Sequence, residues 1–113
     1  AKKAPAGDTS EARVAAGIVA DQIERAVAMY PEAVSSDRYE PYLDGYGYYK
    51  AGASAFATSS DAIKREDPKL HERIAKALDL LGTAYPQAKR PETLDANQGA
   101  LSGASSSVML AVG

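Results

Sequence analysis

At 113 residues, with 45% apolar and 25% charged side chains, the chain has the size and composition of one globular domain built on a single core. A net charge of -2 gives no general attraction to nucleic acid, and the absence of cysteine excludes disulfides, thiolate metal sites and cysteine nucleophiles. No run of about 18 strongly apolar residues is present, so no transmembrane segment is expected.

Residues 1–8 read as a flexible, basic, Ala/Pro-rich arm containing Lys2 and Lys3, and residues 9–113 as a single helical domain. An arm of this kind is what removal of a targeting segment leaves, and a trimmed tag leaves the same. Asp8-Thr9-Ser10-Glu11 has capping-box spacing and predicts the start of a first helix. Its apolar positions Ala12, Ala15, Val19, Ile23, Ala26, Val27 and Tyr30 recur at three- and four-residue steps. Pro31 is expected to end this helix or bend its last turn, because the residue before a proline is pushed away from helical dihedrals.

A second helix is predicted from Pro41 to about Lys64, with Tyr42, Tyr46, Tyr49, Ala53, Phe56 and Ile63 on its core face. Gly45, Gly47 and Gly52 lie inside it, each costing about 1 kcal/mol relative to Ala, and close approach of another helix is the expected compensation. Asp67-Pro68 starts a third helix carrying Leu70, Ile74, Ala77, Leu78, Leu81 and Tyr85 on one stripe. After a joint at Lys89-Arg90-Pro91-Glu92, a fourth helix should carry Leu94, Leu101, Ala104, Val108, Ala111 and Val112. No charged residue follows Asp95, and Gly99 and Gly103 have the spacing that lets helix backbones approach. This helix is expected to be buried against helix two and its glycines, the alternative being a face turned to a partner.

The phrase Ala28-Met29-Tyr30-Pro31-Glu32-Ala33 returns as Thr83-Ala84-Tyr85-Pro86-Gln87-Ala88. Aligning the copies sets Val19 against Ile74, Ile23 against Leu78, Ala26 against Leu81 and Tyr30 against Tyr85. The expected fold is therefore all-α, an up-down-up-down four-helix bundle of two hairpins with short joints, in which both Tyr-Pro pairs terminate helices and belong to the scaffold.

Catalytic groupings are missing from the pattern. The one histidine, His71, falls on the charged side of helix three and reads as a solvated surface residue, so neither a Ser-His-Asp triad nor a carboxylate-histidine metal pair has a local signature. Asp37, Glu40 and Asp44 would share a side on a continuous helix and suit a hard cation, but Pro41 interrupts that geometry. No metal and no cofactor is expected. Candidate contact residues are the basic pairs Lys64-Arg65 and Lys89-Arg90 at opposite ends, Lys2 and Lys3 on the arm, and Tyr39 and Tyr48, which fall off the core stripe. These positions suit docking on an acidic surface, and exposed charges of this kind also occur with no partner at all.

Taken whole, the small acidic Cys-free bundle with a basic, proline-containing N-terminus resembles the PsbQ-like extrinsic subunits of photosystem II, including the diatom-type helical member. The resemblance is architectural. It implies a non-enzymatic protein of the thylakoid lumen, monomeric when free, that docks peripherally on the membrane complex and supports calcium and chloride retention during oxygen evolution. Locally, Met29-Tyr30-Pro31-Glu32-Ala33-Val34 followed by Tyr42 is similar to the periplasmic helical region of some bacterial iron permeases, which implies metal or permease binding in the periplasm.

Overall fold

A computed structural model describes residues 10–112, which form four α-helices: α1 (Glu11–Val34), α2 (Glu40–Glu66), α3 (Pro68–Ala84) and α4 (Gln98–Val112). They pack as an elongated up-down-up-down bundle of 54 × 21 × 20 Å. The expected arm at residues 1–8 lies outside the described residues.

Local signals account for the helix starts. Ser10 caps α1, its hydroxyl accepting from the Arg13 N–H at 3.1 Å and donating to Glu66 Oε2 at 2.6 Å, which ties the start of α1 to the end of α2. Asp67, the single residue between α2 and α3, caps α3 by accepting from the Leu70 N–H at 3.1 Å. Asn97 does the same for α4, accepting from the Ala100 N–H at 2.9 Å.

One core runs through the bundle. α1 contributes Ala16, Val19, Ile23, Ala26, Tyr30 and Ala33, all essentially inaccessible, and α3 contributes Leu70, Ile74, Ala77 and Leu81. The small residues of α1 allow α2 to lie close against it. At their approach Gly52 is buried, and a Cβ built there would sit 3.2 Å from the Gln22 Cβ. Gly45 is closer still to a neighbour, the ring of Tyr85. Gly47 faces open space, so the compensation expected at all three glycines exists at two of them.

Three expectations need correction. Of the two outcomes expected at Pro31, ending the helix does not occur: α1 continues through it to Val34, and Ala33 in that last turn is fully buried. The joint between α3 and α4 is not short but occupies residues 85–97, so Leu94 lies in the joint rather than in α4. And α4 packs against α1 and α3 rather than against α2 and its glycines. Only Leu101, Ser105 and Val108 of α4 are buried, and neither Gly99 nor Gly103 has a neighbouring helix within contact distance.

Candidate functional site

The polar architecture concentrates at the end of the bundle where α1 finishes, α2 begins and the 85–97 joint crosses. The floor is aromatic. Tyr30 and Tyr85 meet edge to face at 5.7 Å between ring centres, and Tyr42 tilts against Tyr85 at 5.3 Å and stacks on Tyr46 at 6.5 Å. Such geometry adds about 0.5–1.5 kcal/mol per pair beyond area burial.

Each buried hydroxyl is used on the main chain. Tyr85 Oη donates to the Ala26 carbonyl at 2.7 Å, inside the bundle. Tyr30 Oη accepts the Ala96 N–H at 2.9 Å, and Tyr42 Oη donates to the Gln87 carbonyl, so both draw the joint onto the helices. Tyr39, exposed along its ring, donates to the Ala88 carbonyl at 2.7 Å. Arg90 completes the set by turning inward: its Nη2 donates to the carbonyls of Ala33 at 3.2 Å and Ser36 at 3.3 Å, and its Nη1 to that of Pro91 at 3.3 Å. A guanidinium at the C-terminus of α1 meets the negative end of that helix, which explains how the turn after Pro31 is held. Its Nε is buried without a partner, a cost set against those bonds.

Burial, reinforced by the neighbouring Tyr30 and Tyr42, pushes the Tyr85 hydroxyl far above its ordinary value. Burial also raises Tyr42, partly offset by its bond to Gln87. Up to about pH 10 folded and unfolded chains hold these protons equally; above it the unfolded chain releases protons the folded chain keeps. Stability measured by urea denaturation is therefore expected to be flat from pH 8 to 9 and to fall steadily above about pH 10, less steeply in Tyr85→Phe. An unchanged slope in that variant would show that Tyr85 is not the group responsible.

The predicted contact residues separate into two kinds. Lys64 and Arg65 are exposed in the last turn of α2, and Lys89 is exposed in the joint at the other end, as expected for alternate joints. Arg90 and Tyr39, by contrast, are structural ties of the joint, which removes the Arg90 charge and the Tyr39 hydroxyl from an outward role. Tyr48 is half-buried beneath the Arg25 guanidinium, 5.9 Å from its ring centre. Lys2 and Lys3 lie outside the described residues.

Asp37, Glu40 and Asp44 do not converge. Glu40 pairs with Arg38 at 3.4 Å, and its carboxyl is held below the usual range first by its own backbone N–H and then by Arg38. No group of three metal-ligating side chains occurs among the described residues. His71 is not the solvated residue expected: it is half-buried, its Nε2 2.7 Å from Ser60 Oγ and its ring 4.9 Å from Phe56. The i, i+11 relation across the α2–α3 joint was invisible to helical periodicity within α3.

No protein family, curated protein sequence or solved structure matches this chain.

Two further features lie outside the core. One is a set of exposed apolar side chains where α1 begins and α4 ends: Val14 and Ile18 on α1, and Met109 and Leu110 on α4, with Leu110 80% exposed. The uncharged composition of α4 signals its half of the set, for which a face turned to a partner was one of the two expectations, whereas Val14 and Ile18 fall outside the predicted stripe of α1. The other is a cleft between α1 and the start of α4 with a volume of about 180 Å³, bounded by Val27, Tyr30, Pro31, Gln98, Leu101 and Ser102. A proline in the last turn of α1 was the available clue.

Proposed function

We propose that this protein is a non-enzymatic accessory subunit that acts by surface contact on the lumenal, non-cytoplasmic side of a membrane complex, photosystem II before others. The observation that carries the reading is the outward face of α4, which has no charge and leaves Leu110 80% exposed. An apolar face of this kind is the usual mark of a protein or membrane contact. No helix among the described residues is long and apolar enough to cross a membrane, in keeping with peripheral docking. The exposed Lys64, Arg65 and Lys89 contribute steering rather than most of the affinity, because rim charges chiefly set the association rate. The iron-uptake alternative draws no support from Asp37, Glu40 and Asp44, which do not gather.

The test is sedimentation with photosystem II membranes stripped of their extrinsic subunits. The chain is expected to bind, Leu110→Asp to weaken binding about tenfold, and charge reversal at Lys64 and Arg65 to weaken it at low salt only, since about molar salt shortens screening to ~3 Å. Failure of the unaltered chain to bind, or binding indifferent to Leu110→Asp, would overturn the proposal.

A further inference from the structure

The cleft between α1 and α4 has a feature that its size alone does not convey. Pro31 continues α1 but has no N–H, so the Val27 carbonyl is deprived of the helical donor four residues on. Both Val27 and Pro31 border the cleft, together with Gln98 and Ser102, two residues with polar side chains from the first turns of α4. The remaining lining residues are Ala28, Tyr30 and Leu101, and the Tyr30 hydroxyl is already engaged by the Ala96 N–H.

None of these residues is charged, so an ionic ligand would lose its hydration there with no partner in return. The volume, about 180 Å³, is below the roughly 300–1,000 Å³ of drug-sized sites and suits a single ring. The polar groups call for an O–H or N–H donor to meet the Val27 carbonyl and for an oxygen to accept from Gln98 or Ser102. We propose that this cleft is a binding site for a small uncharged molecule carrying a hydroxyl on one compact ring, the chemistry of a simple phenol. The site is independent of membrane docking and is tested without it.

Amide-resolved NMR titration of the full chain with phenol, and separately with anisole, which has the same ring and no donor, distinguishes the outcomes. Phenol is expected to shift the amides of Val27, Ala28, Gln98 and Ser102 and to bind about tenfold tighter than anisole, the worth of one hydrogen bond. Pro31→Ala supplies the missing N–H and should bring phenol down to the anisole level. Ser102→Phe, at an exposed position, fills the cleft and should abolish binding of both, while the spectrum itself reports that each variant is folded. Equal affinity for phenol and anisole, shifts scattered elsewhere, or phenol binding unchanged by both substitutions would overturn the proposal.

Discussion

Gly45→Ala is expected to destabilise the protein by about 3 kcal/mol or more, a large share of the ~5–15 kcal/mol available to a domain of this size. A Cβ at position 45 would overlap the Tyr85 hydroxyl and lie 2.5 Å from its Cζ and 2.7 Å from its Cε1. The ring has nowhere to go, because Tyr30 and Tyr42 flank it and its hydroxyl is anchored on the Ala26 carbonyl. Accommodation would require α2 to move away from α3 or Tyr85 to leave the core. Gly47→Ala, two residues on and facing open space, should instead stabilise by about 1 kcal/mol through helix propensity. Urea denaturation of both variants checks the pair. Since Tyr85→Ala removes the obstructing ring, adding Gly45→Ala to it should cost far less than the single change does, and additive effects would refute the clash.

Arg90→Ala is expected to cost about 2–4 kcal/mol, equivalent to a fall in melting temperature of roughly 10–20 °C. The substitution removes the cation from the carbonyls of Ala33 and Ser36, leaving Ser35, which donates to the carbonyls of Pro31 and Glu32, to hold the end of α1. Arg90→Lys should recover less than half, because an ammonium cannot reproduce the planar fork that reaches separate carbonyls at once. Backbone amide exchange after Pro31 supplies a local readout: protection of the last turn of α1 should fall in Arg90→Ala before the rest of the helix opens. Loss of stability of the size seen for a surface lysine, below about 0.5 kcal/mol, would assign Arg90 to the solvent after all.

These two residues also show how far the sequence could be read. Helix existence and phase followed from short-range pattern: the spacing of Val19, Ile23, Ala26 and Tyr30 predicted the buried face of α1, and Asp67-Pro68 predicted the start of α3. What could not be read was any outcome decided by a partner distant in the chain. The two Tyr-Pro phrases look alike, yet α1 continues past Pro31 while α3 ends at Ala84, where Tyr85 is the cap residue. The difference lies in Arg90, more than 50 residues beyond Ala33, which holds the extra turn of α1, whereas the carbonyls of Gln87 and Ala88 are drawn off by Tyr42 and Tyr39. For the same reason the inward turn of Arg90 and the bond of the exposed Tyr39 to the Ala88 carbonyl are not legible in the sequence. The burial of Tyr30 and Tyr85 in the scaffold is legible because their positions repeat a helical stripe, which is local information.

At positions 87 and 88 the joint is held by Tyr42 and Tyr39 on carbonyl oxygens, and Gln87 and Ala88 are themselves exposed. A carbonyl is common to every residue type, so this grip is indifferent to what positions 87 and 88 carry. In a chain with no native cysteine, a thiol introduced at position 88 would be unique, outward and rigidly mounted. A fluorophore or spin label attached there would report the orientation of one end of the bundle without touching its core.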